Sequence, residues 1–211
     1  MSDLEEKIAT MQKQVRILRK NENKHLEQSY KRETTGASSL EEVILAIQQE
    51  KYLVIDNERI TFKEQTYFNG TITLPIMEGF FERIVDEDNL VLERNLSGTS
   101  VLVKNSTSSQ PYTELKEMRE QMNDFYREQE IYTEFLKEEE TIVNEKVCYQ
   151  LETRTPSSTG TIHQYLVSFV KQQQLITVVF TCVGNQWRKW ERIIEAMVEI
   201  IILGQGGEDA F

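Results

Sequence analysis

The sequence predicts an α+β protein, in which an antiparallel β-sheet is flanked by helices on both faces and preceded by an N-terminal coiled-coil-like helix. Three observations lead to this prediction. Short apolar strands alternate with turn residues, and the connections are too short for parallel crossovers. Two apolar stripes at helical spacing lie among and after the strands. A heptad pattern opens the chain of 211 residues.

Residues 1–33 are predicted to form a helical arm. Its apolar side chains, the candidate partner-binding residues, are spaced alternately by four and three positions: Leu4, Ile8, Met11, Val15 and Leu18. β-branched residues at the a positions, with Leu or Met at d, favour a parallel dimer. Three interpretations remain open, because the stripe would suit a second copy of the chain, a client protein or the arm's own domain.

Residues 34–65 are predicted to contain a linker, a short helix and a small hairpin. The segment Ser39–Glu42 has the pattern of a capping box, and the apolar spacing that follows continues a helix to about Glu50. The hairpin consists of Tyr52–Ile55 and Arg59–Lys63 around the turn Asp56-Asn57-Glu58.

The main α+β domain is predicted over residues 66–204. Its first strand alternates Ile72, Leu74 and Ile76, and Pro75 places that strand at an edge or near its end. The next predicted strands are Phe80–Val85, Leu90–Arg94 and Thr99–Lys104. A helix opens at Pro111, a favoured first position, and its apolar stripe is Leu115, Met118, Met122 and Phe125.

Longer strands and a final helix complete this domain. The predicted strands are Ile131–Leu136 (leading into the acidic run Glu138–Glu140), Thr141–Thr153, Ile162–Val170 and Leu175–Val183. The last of them is apolar at nearly every position, which indicates a central strand covered on both faces. The final helix follows Gly184-Asn185, with the stripe Trp187, Trp190, Ile194, Met197 and Ile201. Residues 205–211 are expected to be a flexible tail.

Charge and composition exclude several classes of partner. The chain has 24 Lys and Arg against 35 Asp and Glu, a net charge of -11, which argues against nucleic acid and against an anionic membrane surface. An acidic start without an apolar segment predicts no secretory signal and no membrane insertion, hence a cytoplasmic protein. Cys148 and Cys182 lie in strand-like runs and are expected to be buried and reduced.

Motifs for catalysis, metals and cofactors are missing from the sequence, so we expect no enzyme activity, catalytic residue, cofactor or metal. One chemical alternative pairs His163 as general base with Cys148 as nucleophile, although no third group orients the histidine. Core packing is favoured for Trp187 and Trp190 over a role as partner-binding anchors. The run Glu138–Glu140 is interpreted as a solvated strand end rather than a cation site.

From Ile72 to Leu203 the order of elements resembles the PsbP-like superfamily, which also contains the DcrB-like bacterial proteins. The residues that carry the resemblance are Thr73-Leu74-Pro75, the pair Phe80-Phe81, the Leu115–Phe125 helix and the closing Ile200-Ile201-Ile202. The resemblance implies a PsbP-like sandwich and a non-enzymatic protein that binds proteins. One bacterial branch resembles cytoplasmic chaperones or adaptors for secreted effectors, which often act as dimers.

The predicted function is therefore a non-enzymatic cytoplasmic adaptor or chaperone that binds another protein. The expected partner is an exported client, such as a secreted effector or toxin, and the expected assembly is a homodimer. Two alternatives remain open. The chain would serve as a structural homo-oligomer built through the N-terminal coiled coil, or as a small-molecule or hydrolytic domain that uses the sheet face near His163.

Overall fold

The computed structural model describes residues 39–107, 112, 114–143, 145–158, 160–171 and 173–204. The chain divides into two units, and the second, Leu40–Phe211, contains the described body. The predictions for the arm, including Leu4, Ile8, Met11, Val15 and Leu18, lie outside the described residues. Pro111 and the tail 205–211 lie outside them as well.

Three α-helices and eleven strands make up the described body. The helices are α1 (Leu40–Leu45), continued by a π-helical turn (Ala46–Glu50), α2 (Leu115–Glu128) and α3 (Trp187–Glu199), preceded by a 3-10 turn (Gly184–Gln186). The strands are β1 (Tyr52–Ile55), β2 (Glu58–Tyr67), β3 (Ile72–Met77), β4 (Glu82–Glu87), β5 (Leu90–Arg94), β6 (Ser100–Thr107), β7 (Glu134–Val143), β8 (Lys146–Ser157), β9 (Gly160–Lys171), β10 (Gln174–Val183) and β11 (Ile202–Leu203).

The strands form two antiparallel sheets where the sequence predicts one. The smaller sheet has the order β1-β2-β3-β11, and the larger has the order β4-β5-β6-β10-β9-β8-β7. The two residues of β11 pair with Thr73 and Ile72 of β3, so the chain after α3 returns to the start of the domain. The predicted boundary between residues 65 and 66 falls inside β2, which pairs with β3 from Phe62 to Tyr67. The hairpin and the main domain are therefore one unit.

The principal core lies between the larger sheet, α3 and the smaller sheet. Strand β10 alternates strictly, with Ile176, Val178, Phe180 and Cys182 fully buried and the residues between them half-buried. The prediction that β10 is central is confirmed, because β6 and β9 pair with it on either side. Its second face is less completely covered than the run of apolar residues suggested.

A smaller core lies on the other face of the larger sheet. Its buried members are Tyr112, Met118, Tyr149, Leu151 and Leu166. Met118 places the apolar stripe of α2 against β8 and β9, and half-buried Leu115 and Met122 extend that stripe. Tyr126, four positions after Met122, is buried and completes the buried side of α2, whereas Phe125 is 52% exposed.

Three sequence predictions are wrong in their local structure. The acidic run Glu138–Glu140 lies inside β7 and not beyond a strand, since β7 extends from Glu134 to Val143. The predicted strand 141–153 is broken by a turn at Glu145, where φ is 65°. The predicted strand Phe80–Val85 begins later, because β4 starts at Glu82. Phe80 and Phe81 precede β4, and their rings are in edge contact with centroids 4.8 Å apart.

None of the helices in the described ranges is long and apolar enough to cross a membrane.

Candidate functional site

His163 and Cys148, the only nucleophile–base pair that the sequence suggested, are not brought together. Cys148 lies opposite Phe169 on β9, whereas His163 lies opposite Arg154 on β8. Six residues of strand separate the two positions, which is about 20 Å. Burial raises the pKa of the Cys148 thiol to about 12, so the thiol stays protonated at neutral pH. This arrangement provides no activated thiolate.

The His163 imidazole is held in an aromatic stack. Its ring lies 5.4 Å from the ring of Trp187, with an angle of 5° between the two planes. Burial, and next the charge of Arg154, lower the pKa of His163 to about 4. The ring is therefore neutral at pH 7 and fills space beside Trp187.

Trp187 and Trp190 are core residues. They are 1% and 3% exposed, respectively, and Trp190 stands against Phe80 with ring centroids 4.9 Å apart. The Trp187 indole N–H lies near the Glu152 carboxyl but donates no hydrogen bond to it. Neither tryptophan reaches the surface as an anchor for a partner.

A polar layer lies under α3 on the principal-core face of β7, β8 and β9. The Tyr165 hydroxyl donates to Gln150 Oε1 at 2.6 Å, and Gln150 Nε2 donates to Thr141 Oγ1 at 3.0 Å. Burial raises the pKa of Tyr165, which keeps its hydroxyl protonated as a donor. These bonds satisfy polar groups that would be costly to bury alone, which is a structural role.

Glu152 is the carboxyl group of this layer whose pKa lies close to neutral pH. Burial, together with the carboxylates of Glu191 and Glu195 on α3, raises the pKa of Glu152 to about 7, although the charge of Lys137 opposes the shift. Lys137 lies opposite Glu152 on β7, and its Nζ is 3.8 Å from Glu195 Oε1. No group of three or more possible metal-ligating side chains occurs in the described part of the chain.

The acidic run of β7 is divided between the two faces of the sheet. Glu139 accepts an ion pair from Lys137 at 2.8 Å on the α3 side. Glu138 is paired with Arg119 of α2 at 2.7 Å on the opposite side. Glu140 is exposed. The pair between Glu138 and Arg119 tethers α2 to β7.

The junction between α2 and β7 carries the exposed apolar residues that the sequence did not reveal. We call this region, residues 114–140, the α2–β7 surface. Four of its large apolar side chains are exposed by 40–61%: Phe125, Ile131, Tyr132 and Leu136. The chain folds tightly here, since Ile131 N donates to Tyr126 O at 2.9 Å, and β7 has a bulge between Phe135 and Lys137. The bulge turns Leu136 outward.

The α2–β7 surface is also the most acidic part of the body. Residues 114–140 contain ten acidic and four basic side chains, a net charge of −6. More than half of the net charge of −11 therefore comes from this segment. Exposed aromatic and aliphatic side chains within one sign of charge are typical of a surface that binds a partner of the opposite sign.

The sequence placed Phe125 in the buried stripe of α2 and Ile131 and Leu136 in a strand. Phe125 lies three positions and Tyr126 four positions after Met122, so helical spacing predicts either residue on the buried side equally well. The choice between Phe125 and Tyr126 is made by Gln164 of β9, whose Oε1 accepts a hydrogen bond from the Tyr126 hydroxyl at 2.9 Å. That contact joins residues 38 positions apart, so the sequence pattern alone did not decide it.

Solved structures show what this fold is similar to. The solution structure of cyanobacterial PsbP (CyanoP) from Synechocystis sp. PCC 6803 matches with a TM-score of 0.55 and 13% identity, over 67% of this chain and 92% of that one. A protein of unknown function from Pseudomonas aeruginosa, PA94, matches at 0.45 and 9%, over 67% and 96%. A structure from Bacteroides thetaiotaomicron matches at 0.45 and 9%, over 70% and 50%.

The likeness to CyanoP shows a PsbP-like fold, which confirms that part of the resemblance. No family model matches the sequence, and neither does any curated protein. At 13% identity the likeness concerns the fold alone.

Proposed function

We propose that this chain is a non-enzymatic, cytoplasmic adaptor or chaperone that holds a segment of another protein on the α2–β7 surface. One observation carries the proposal, namely the group of exposed Phe125, Ile131, Tyr132 and Leu136 within a segment of net charge −6. Scattered exposed apolar residues need no explanation, but several large ones within a single short segment favour an interface.

The chemistry of the surface defines the segment that it would hold. Phe125 and Tyr132 provide aromatic anchors, side chains that contribute strongly to binding when a partner covers them. Surrounding carboxylates such as Glu120 and Glu128 attract Lys and Arg and speed association. The preferred partner is therefore a basic, amphipathic segment with apolar residues on one side. The resemblance adds an exported client, such as a secreted effector or toxin.

The hydrolytic alternative near His163 has less support. Its two candidate groups lie about 20 Å apart along the sheet, and the thiol pKa of about 12 keeps Cys148 protonated. The half-buried imidazole of His163 stacks on the Trp187 ring. The alternative of a homo-oligomer built only through the arm rests on the heptad prediction.

A peptide titration tests the proposal. The probe is a fluorescent helical peptide with Leu at i, i+3, i+4 and i+7 and Lys elsewhere, and the matched probe has Glu in place of Lys. We expect the basic probe alone to bind, with affinity that falls as salt is raised. Phe125→Ser and Tyr132→Ser should each weaken binding by about tenfold, because truncating an anchor costs more than 1 kcal/mol.

Two control variants make the result specific. Leu96→Ser removes a fully exposed apolar side chain outside the surface, and Glu87→Lys changes a charge at the end of β4. Both should bind the basic probe as the wild type does, whereas Glu128→Lys should bind it more weakly. Equal binding of both probes, or equal loss in the control variants, would contradict the proposal. A pull-down with wild type and Phe125→Ser then identifies the client.

A further inference from the structure

Strand β1 is a four-residue edge strand without the charges, prolines or bulges that discourage edge-to-edge pairing. It is hydrogen-bonded to β2 on one side and has no second neighbour among the described strands. Its sequence, Tyr52-Leu53-Val54-Ile55, contains no charge and no proline, and its register with β2 has no bulge. Val54 is 63% exposed. Free N–H and C=O groups on an apolar edge form a template for another strand.

The edge strands of the larger sheet show how this chain protects an edge elsewhere. Strand β4 has a bulge between Arg83 and Val85, and four of its six residues are charged. Strand β7 has a bulge between Phe135 and Lys137 and carries five charged residues. Charges and bulges prevent edge-to-edge pairing. The other edge strand of the smaller sheet, β11, has only two residues. Among the described edge strands of more than two residues, the contrast marks β1 as the one that is left open.

We propose that β1 pairs antiparallel with β1 of a second copy of this chain. The two smaller sheets then form one continuous eight-stranded sheet around a two-fold axis perpendicular to it. This contact is separate from the α2–β7 surface and does not depend on the function proposed for that surface.

The hairpin fixes which backbone groups face the second copy. The two-residue turn Asp56-Asn57 has φ of 52° and 64°, so Ile55 and Glu58 form a hydrogen-bonded pair. Alternate residues point the same way, and Phe62 N donates to Lys51 O at 2.7 Å on the β2 side. The N–H and C=O groups of Tyr52 and Val54 therefore point to the open edge.

These groups determine the register of the pair. Several two-fold registers keep both cores on the same side of the sheet, and only the one with Leu53 opposite Leu53 of the second copy lets both Tyr52 and Val54 bond to open-edge groups of that copy. Tyr52 then lies opposite Val54 of the second copy, in two hydrogen-bonded pairs that supply about four backbone bonds. The core-facing side chains Leu53 and Ile55, which already contact the principal core, continue it across the axis.

A second copy suits this edge better than a foreign strand for two reasons. The paired stretch Tyr52–Ile55 carries no charge, so two chains of net charge -11 meet there without opposing carboxylates inside the strands. At each end Lys51 of one copy lies beside Asp56 of the other and offsets the charge of its own neighbour Glu50. The heptad arm predicts a parallel dimer, which would raise the effective concentration of one β1 for the other to about the millimolar range. At that effective concentration a strand of only four residues can pair with its copy.

Cysteine cross-linking in the full chain tests the register. Leu53→Cys places the two thiols opposite each other, about 4.5 Å apart at Cα, within the span of a disulfide. Ile55→Cys lies on the same face of the same strand, but its symmetry mate is about 13 Å away. Native Cys148 and Cys182 are fully buried and do not compete. In a glutathione redox buffer we expect a disulfide-linked dimer for Leu53→Cys and monomer for Ile55→Cys.

Edge variants measured by sedimentation provide an independent test. Val54→Pro removes an N–H that faces the open edge and leaves the bonds to β2, and Val54→Lys adds a charge there. Each should weaken self-association by about tenfold or more. Ile84→Lys on β4 should leave it unchanged. Equal cross-linking at positions 53 and 55, or unchanged association of both Val54 variants, would overturn the proposal. Binding of the basic peptide to the Val54 variants should stay at the wild-type level.

Discussion

The carboxyl group of Glu152 makes the stability of the body depend on pH in a defined direction. Its pKa is about 7 in the folded chain against 4.5 for an unperturbed glutamate. Between these values the folded chain holds a proton that the unfolded chain has lost. Raising the pH through this window therefore removes stability, and above pH 7 the loss is complete. Glu152→Gln keeps the shape of the side chain and removes the titration.

The expected gain follows from the two pKa values. At about 1.4 kcal/mol per pKa unit, their separation corresponds to roughly 3 kcal/mol. Glu152 keeps partial contact with solvent, so we expect about 2 kcal/mol of added stability for Glu152→Gln at pH 8. For a domain of this size that raises Tm by about 4–8 °C. At pH 4 the variant and the wild type should melt together, because both states then hold the proton.

His163 supplies the opposite dependence and has to be separated from Glu152. Its pKa is about 4 in the folded chain against 6.5 unperturbed, so its contribution is present above pH 6.5 and is lost as the pH falls towards 4. Between pH 4.5 and 6.5 the two groups oppose each other in the wild type. The Glu152→Gln variant should therefore show stability that rises with pH over this range.

The assay is thermal unfolding followed by circular dichroism from pH 4 to pH 8 at constant ionic strength. Glu140→Gln, an exposed carboxyl on the neighbouring strand β7, is the matched control and should change Tm little at any pH. If Glu152→Gln were less stable than the wild type at pH 8, the carboxylate would be ionised and stabilising beside Lys137. That result would refute the account of this buried layer.

Three further predictions concern the core and the arm. Val178→Asp should prevent folding, measured by circular dichroism, because a buried unpaired carboxylate costs several kcal/mol; Val179→Asp on the half-buried face should still fold with a lower Tm. Ellman's reagent should not react with native protein at pH 8 and should find both Cys148 and Cys182 in denaturant, since burial raises the pKa of each thiol to about 12. Deleting residues 1–33 should leave the melting curve of the body unchanged and weaken self-association measured by light scattering. A sharp fall in Tm with an unchanged particle mass would contradict the prediction that the arm binds another chain.

The sequence predicted the elements whose patterns are local. The nearly continuous apolar run of β10 indicated a central strand, and the stripe of α3 beginning at Trp187 and Trp190 indicated a buried helix. Asp56-Asn57-Glu58 marked the turn of a hairpin; in the structure the turn is Asp56-Asn57, both with positive φ, and Glu58 already pairs with Ile55. Each of these signals lies within about a dozen residues of chain.

The second sheet could not be predicted in this way. No local pattern marks the separation of β3 from β4 into different sheets, or the return of β11 to pair with Thr73 and Ile72, far away along the chain. The acidic run was assigned outside a strand because charge normally marks solvent. Strand β7 is an edge strand, and its charged residues Lys137, Glu138 and Glu139 form ion pairs, so they remain compatible with a strand.

The α2–β7 surface could not be predicted from the sequence for a related reason. Exposure of Phe125 is decided by the hydrogen bond between Tyr126 and Gln164, and exposure of Leu136 by the bulge in β7. Both are tertiary features. The acidity of residues 114–140 was visible in the sequence, but without the exposed apolar side chains it indicated only a solvated surface.

Hydrogen exchange measured with and without the basic peptide tests the central claim most directly. Binding on the α2–β7 surface should slow exchange of backbone amides in residues 120–136, where α2 ends and the chain turns into β7, and should leave β1 and β4 unchanged. The same experiment on Phe125→Ser should show little protection at the same peptide concentration. Protection confined to another part of the body, or equal protection in the variant, would contradict a binding role for this surface.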